Sequence, residues 1–175
     1  LGNKFLANIR EVDAIIHVIR CFEDESILRD EGAINPVSDM EIIDAELQLK
    51  DLDSVEKKIS KTEKQVRVDP KLKPELEVLL RCKEHLEKGK SMRELGLSKE
   101  ENTAIPDLFL LTDKPVVYVA NVDEGSMHTG NKYSETLKDA IKGENAQIII
   151  MNNSIEAQIA EMESKEDRQL FMEEY

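Results

Sequence analysis

The stretch best equipped for chemistry is Tyr118-Val119-Ala120-Asn121-Val122-Asp123-Glu124. A β-branched apolar run ends on a side-chain amide, Asn121, and a carboxylate, Glu124, follows three residues later. Ligands of open α/β sheets bind in the crevice outside the carboxyl ends of the strands. That position makes Asn121 and Glu124 candidate ligand contacts. Asn-x-x-Glu is equally the composition of an ordinary turn after a strand. The other reactive residue types offer less. His17, His85 and His128 are isolated in sequence, and His17 falls inside an apolar run that reads as core. No HExxH, CxxC or Cys-plus-His spacing suggests zinc. Cys21 and Cys82 make no disulfide framework, and their separation gives no support for a cysteine nucleophile. There is no GxSxG, no GxGxxG and no GxxxxGK(S/T) phosphate loop. No catalytic and no metal-ligating residue is therefore expected in these residues.

Three apolar runs read as the strands that position this chemistry: Val12 to Ile19, Val116 to Ala120 behind Pro115, and Gln147 to Met151. Short, continuous and β-branched, they are expected to be buried on both faces of a parallel sheet. Residues 3 to 10 predict a short amphipathic helix. Asn131 to Lys142 predicts another, with Tyr133, Leu137 and Ile141 on one face and Gly143 as its stop. Ile155, Ile159 and Met162 continue as a helix after the third run. Alternating strands and helices predict right-handed crossovers and a layered α/β sheet.

The middle of the chain differs. Ser38-x-x-Glu41 has the form of a capping box that opens a helix. Ile42, Ala45, Leu49, Leu52, Ile59 and Val66 then hold a 3–4 spacing. Asp69 to Pro74 interrupts it, Leu72, Leu76, Leu79 and Leu86 resume it, and Gly89 ends it. Two charged helices with narrow apolar seams predict an antiparallel coiled-coil hairpin. Ser98-x-x-Glu101 opens a short helix that leads back to the sheet. The expected organisation is half of an α/β domain, residues 1–36 and 107–175, with a helical insertion at 37–106.

Composition narrows the functions. With 175 residues and 40% hydrophobic content the chain can bury a core. Its 24 Lys+Arg against 37 Asp+Glu give a net charge of −13. Such a surface disfavours a broad nucleic-acid face and leaves room only for a local patch, such as Lys57, Lys58, Lys61 and Lys64. The absence of Trp argues against a stacking platform for single strands. No apolar run reaches the roughly 18 residues of a membrane span. The first ten residues lack the pattern of a signal peptide. The expected location is the cytoplasm, with no membrane partner.

The order of residues adds a resemblance. Leu1-Gly2-Asn3-Lys4-Phe5-Leu6-Ala7-Asn8-Ile9-Arg10-Glu11-Val12-Asp13-Ala14-Ile15-Ile16-His17-Val18 resembles the segment after switch II in the YchF / Obg-like ATPase family. Arg20-Cys21-Phe22-Glu23-Asp24, and Asn35-Pro36 with Asp39, Glu41 and Glu46-Leu47, are similar to its next block. Leu110-Leu111-Thr112, Lys114-Pro115 and Tyr118 to Val122 are similar to the strand with the base-recognition motif. Ile155-Glu156-Ala157 with Ile159-Ala160 resembles the block after the fifth nucleotide-binding motif. The resemblance implies the parallel-sheet half of a P-loop NTPase (G) domain, and the predicted hairpin matches the family's coiled-coil insertion.

The resemblance also implies roles. GTPases of the translation-factor class carry Asn-Lys-x-Asp, whose Asp accepts the N1–H and N2 amine of guanine. Adenine has no N2 amine and a lone pair at N1, so that carboxylate repels it. Here the motif is Asn121-Val122-Asp123-Glu124, which implies relaxed or ATP-favouring specificity. Asn121 would meet the N7 edge of the base, the Val122 backbone would accept from the adenine amine, and Glu124 would no longer clamp guanine. Asn152, Asn153 and Ser154 align with the fifth motif, and Asn153 would supply a backbone N–H. The family's phosphate loop and switches precede the opening block, and its TGS domain follows; none of them is in these 175 residues. Mg²⁺ would be held by that phosphate loop. The expectation is a portion that supplies base recognition to a protein that binds and hydrolyses ATP or GTP, without hydrolysing it alone. The alternative is a non-enzymatic module whose hairpin docks a partner helix or protein, or a ribosome- or RNA-associated partner.

Overall fold

The chain runs α1 (Asn3–Glu11), β1 (Ile15–Arg20), α2 (Pro36–Val66), α3 (Lys73–Glu87), α4 (Met92–Leu95), α5 (Lys99–Ala104), β2 (Val116–Asn121), α6 (Lys132–Ala140), β3 (Gln147–Met151), α7 (Asn153–Glu161) and α8 (Lys165–Glu174). Single 3-10 turns lie at Pro70–Leu72 and Glu124–Ser126. The structure is a computed structural model that describes residues 2–24, 33–144 and 146–174. Leu1 of the opening block, residues 25–32 of the expected 1–36 segment and Tyr175 lie outside the described residues. The chain divides into two units, Leu1–Ile15 with Met40–Val116, and Ile16–Asp39 with Val117–Tyr175.

The second unit is built on the sheet, in the order β1-β2-β3. β2 and β3 pair in parallel, from Val117 opposite Gln147 to Asn121 opposite Met151. The Ile15 N–H donates to the Pro115 carbonyl, and the Cys21 N–H to the Asn121 carbonyl. The two bonds are equally spaced along both strands, so β1 is parallel too. The β2-to-β3 crossover turns at Gly130, whose φ is 73°. A Cβ there would lie 2.6 Å from Ser134 Oγ and 3.1 Å from Ile150 Cδ1, so only glycine fits. Asn131 then caps α6: its Oδ1 accepts the Tyr133 and Ser134 N–H groups at 3.0 and 3.1 Å.

The approach of Gly130 to Ile150, and a 3.0 Å bond from Tyr118 Oη to Glu144, place α6 over one sheet face. Tyr118, Ala120, Ile148 and Ile150 share that face. Tyr118, Ala120, Leu137 and Ile141 are buried. The opposite face corrects the expectation of strands buried on both sides for β1 and β3: Ile16, Val18 and Ile149 are 70%, 51% and 50% exposed, whereas Val119 of β2 is buried. The physical reason is position in the sheet: β2 is flanked by both neighbours, while β1 and β3 are its edges.

In the first unit, α2 and α3 pack antiparallel. Thr62 bonds Glu75 at 3.2 Å, while Glu56 pairs with Lys83 at 2.7 Å, so contacts run in reverse order along the two helices. Val55 and Ile59 of α2 join Val78, Leu79, Cys82 and Leu86 of α3 in one core. Met92, Ile105 and Leu110 belong to that core as well, so α3 packs on more than α2 alone. Two local expectations are corrected. Asn35, not Ser38, caps α2: its Oδ1 accepts the Ser38 N–H at 3.1 Å, and Pro36 takes the first helical position, where no N–H is needed. The buried stripe of α2 runs through Leu47, Asp51, Val55, Ile59 and Thr62, whereas Ile42 and Leu49 are 58% and 65% exposed. Two of the stripe's positions are polar, so a hydrophobic count passes over them. The Ser98–Glu101 capping box forms, and a second one forms at Ser91 and Glu94.

Asp51 explains why that stripe tolerates a carboxylate. It is fully buried, and its Oδ1 accepts the Leu111 N–H at 2.8 Å. Its Oδ2 accepts the Thr112 N–H at 2.8 Å and the Thr112 hydroxyl at 2.7 Å. Burial pushes the carboxyl above its usual range, against the pull of the Leu111 and Thr112 donors and of Arg10. Thr112 Oγ1 in turn accepts the Met92 N–H at 3.0 Å. Leu6 and Ile9 of α1 pack beside Ile43, Leu47 and Leu111. In Asp51→Asn an NH₂ group would face the Thr112 donors. The expected loss is about 2–3 kcal/mol of unfolding free energy, read by urea denaturation, because buried donors lose their acceptor. A variant as stable as the wild type would contradict the anchor.

Candidate functional site

β2 ends on Asn121, and α7 starts two residues after β3, so register brings the two loops side by side. The Val122 N–H donates to the Met151 carbonyl at 2.9 Å, which extends the ladder one residue past β2. Asn152 Nδ2 donates to the Val122 carbonyl at 2.8 Å. The Asn153 N–H donates to Asn121 Oδ1 at 3.0 Å. Asn152 Oδ1 accepts the Ile155 N–H at 3.0 Å and so caps α7. Asn121, Val122, Asn152 and Asn153 therefore form one hydrogen-bonded rim.

The rim also fixes which groups stay available. Asn121 Oδ1 is held, and Asn121 Nδ2 has no partner among the described residues. The Asn153 N–H, which the resemblance implies for the base, is engaged with Asn121. The next amide, the Ser154 N–H in the first turn of α7, has no partner among the described residues. The Val122 carbonyl accepts one bond from Asn152 and keeps a second lone pair. Glu124 is exposed, opens the 3-10 turn and makes no side-chain bond among the described residues.

A second polar network flanks this rim. Asp123 accepts the Ser126 hydroxyl at 3.0 and 2.9 Å. Asn131 Nδ2 donates to the Cys21 carbonyl at 2.7 Å, tying the end of β1 to the cap of α6. A cavity of about 400 Å³ is lined by Phe22, Glu23, Asp123, Asn131, Lys132 and Tyr133. The Tyr133 hydroxyl and Lys132 ammonium both donate to Glu23 and hold its carboxyl below the usual range. In sequence Asn131 marks only a helix start; its place after Gly130 and three residues before Ser134 is the local signal for this network. Burial pushes the Cys21 and Cys82 thiols up to about 11, so both are neutral at pH 7 and unsuited to nucleophilic attack. His17 lies against the Tyr118 ring, 5.7 Å between centroids.

Parallel strands, a helical crossover and polar loops at the strands' carboxyl ends place the second unit in the layered α/β class. No family model matches the chain. The Ribosome-binding ATPase YchF of Bacillus subtilis (strain 168) is 41% identical over 99% of this chain and 48% of its own length. Its namesake from Escherichia coli O157:H7 is 42% identical, with the same shares. The solved Schizosaccharomyces pombe YchF GTPase superposes with a TM-score of 0.85 at 29% identity, again over 99% of this chain and 48% of that one. Over nearly its whole length the chain is similar to YchF proteins. It spans about half the length of the curated relatives that it matches.

The rim makes a specific demand on Asn152. Asn152→Ala removes both the α7 cap and the bond to Val122, and should cost about 1–2 kcal/mol in thermal or urea unfolding. Asn152→Asp keeps a cap acceptor but turns a carboxylate toward the Val122 carbonyl. It should therefore also destabilise, despite favourable charge at a helix start. An Asp variant more stable than the wild type would show that the Val122 bond is unimportant.

Proposed function

We propose that this chain supplies the base-recognition surface of a nucleotide-binding YchF-type protein that hydrolyses ATP or GTP. The observation that carries the reading is the rim itself. It orients the free Asn121 amide NH₂ outward as a donor, beside the Ser154 N–H and the remaining lone pair of the Val122 carbonyl. Asn121 Nδ2 would donate to purine N7. The Val122 carbonyl would accept from the adenine amine, a group that guanine lacks at that position. The Ser154 N–H, rather than that of Asn153, would be the backbone donor. Glu124 would lie beside the base without the fixed geometry of a guanine-specific Asp.

Phosphoryl transfer rests on positioning and charge stabilisation around the phosphates. No phosphate-loop motif occurs in the sequence, and these residues are assigned no step of hydrolysis. Mg²⁺ is the cofactor that the family implies. Among the described residues no three or more His, Cys, Asp or Glu side chains gather to hold a metal ion, so no step is routed through Mg²⁺. The exposed Ile16, Val18 and Ile149 face suits a sheet that packs against further layers of such a domain. The similar proteins are ribosome-binding ATPases, which extends the proposal to ribosome association and, with it, a cytoplasmic location. No helix among the described residues is long and apolar enough to cross a membrane. The α2–α3 pair would act as a coiled-coil arm that meets a partner.

Asn121→Ala in the complete nucleotide-binding protein tests the base assignment. Loss of one base hydrogen bond and of the Asn153 tether should weaken ATP binding by about tenfold or more, measured by calorimetry on a folded variant. Unchanged ATP affinity would overturn it.

A further inference from the structure

Several basic side chains of the first unit are neutralised locally, and others, such as Lys4, Lys90 and Lys99, stand singly. Lys57 pairs with Asp53 at 2.7 Å, Lys58 with Glu75 at 3.2 Å and Lys83 with Glu56 at 2.7 Å. Lys88 pairs with Glu84 at 2.8 Å, and Arg81 pairs with Glu101. The turn between α2 and α3 is different. Lys61, Lys64, Arg67, Lys71 and Lys73 are all exposed, and none has a partner among the described residues. Two carboxylates, Glu63 and Asp69, lie in the same stretch. Asp69 is exposed as well, and its Oδ1 accepts the Lys71 N–H at 3.1 Å; the five cations still outnumber the two carboxylates. In a chain of net charge −13, this turn is a local concentration of free positive charge.

Its position is set by the fold. Thr62 and Glu75 form a cross-helix contact just below the turn, and the residues between them wrap the end of the hairpin. At a rise of about 1.5 Å per residue, Lys61 and Lys64 lie within roughly 10 Å of the end of α2. Such spacing suits several successive phosphates of a nucleic-acid backbone.

We propose that the α2–α3 turn is an RNA-backbone contact, with Lys61, Lys64, Arg67, Lys71 and Lys73 as its phosphate ligands. The choice of RNA over an acidic protein follows from what the turn lacks. Protein interfaces are depleted in Lys and are centred on buried aromatic or apolar anchors. This turn offers a single exposed apolar side chain, Val68, at 88% exposure. Phosphate binding needs only cations, and it positions the protein without reading sequence. The acidic excess elsewhere repels RNA, so the turn is the end that approaches. The RNA identity rests on the reading that ribosome association extends to this chain.

The test uses the 175-residue chain, a short fluorescent RNA stem-loop at low salt, and the triple variant Arg67→Glu, Lys71→Glu, Lys73→Glu. The altered side chains are exposed, and acidic residues at the start of α3 are favourable, so the variant should fold; circular dichroism verifies this. Lys138→Glu on α6 is the control. The wild type should bind with a log–log salt slope of about −3 to −4, as expected for up to five neutralised phosphates. The triple variant should lose at least about tenfold in affinity and flatten that slope, with the control unchanged. No binding at low salt, equal loss in the control, or equal competition by polyglutamate would overturn the proposal. Co-sedimentation with ribosomes separates the two readings. Sedimentation that survives the triple variant rejects the turn alone. No sedimentation of the wild type rejects the ribosome reading as well.

Discussion

The side-chain amide of Asn152 acts in two directions at once. Its Nδ2 donates to the Val122 carbonyl, and its Oδ1 accepts the Ile155 N–H in the first turn of α7. Asparagine is suited to both tasks, because it carries a donor and an acceptor on one short planar group. Through it the turn after β3 is locked to the turn after β2. The Asn153 N–H is then delivered to Asn121 Oδ1, and that bond decides which end of the Asn121 amide faces outward. The proposed base contacts are consequences of this geometry. They are backbone groups and one oriented amide, not flexible charged side chains.

A similar economy governs the first unit. One buried carboxylate, Asp51, satisfies two backbone N–H groups and a hydroxyl in the segment that precedes β2. Thr112 passes the connection on to the start of α4 through the Met92 N–H. Burying a carboxylate is costly unless its oxygens are met by donors, and here three donors meet them. The hairpin core of Val55, Leu79, Cys82 and Leu86 supplies apolar burial, while Asp51 fixes where α2 lies along the chain that returns to the sheet.

Much of the fold is legible along the chain, because its signals are local. The β-branched runs become β1, β2 and β3, Pro74 lies in the first turn of α3, and the Ser98–Glu101 box forms. What is not legible depends on neighbours distant in sequence. Whether Ile16 and Val18 are covered depends on whether their strand is flanked on both sides or lies at an edge of the sheet, and their composition carries no trace of that. The α2 stripe is misread for the same reason, since Asp51 and Thr62 are buried only because partners reach them from other segments. At the candidate site, spacing alone makes Asn121 and Glu124 polar residues after a strand, and their expected role comes from the family resemblance. The distinction between the Asn153 and Ser154 N–H groups is a matter of backbone geometry that no residue pattern encodes.

The central claim is that the joined ends of β2 and β3 meet a purine base. Titrating adenosine into the isotope-labelled 175-residue chain, followed by amide NMR shifts, tests it most directly, because a nucleoside has no phosphates and needs no phosphate loop. The account predicts shifts concentrated at the Asn121 side-chain NH₂ and the Val122 and Ser154 backbone amides. Shifts confined to other surfaces, such as the cavity beside Tyr133, or no shifts at millimolar adenosine, would contradict it.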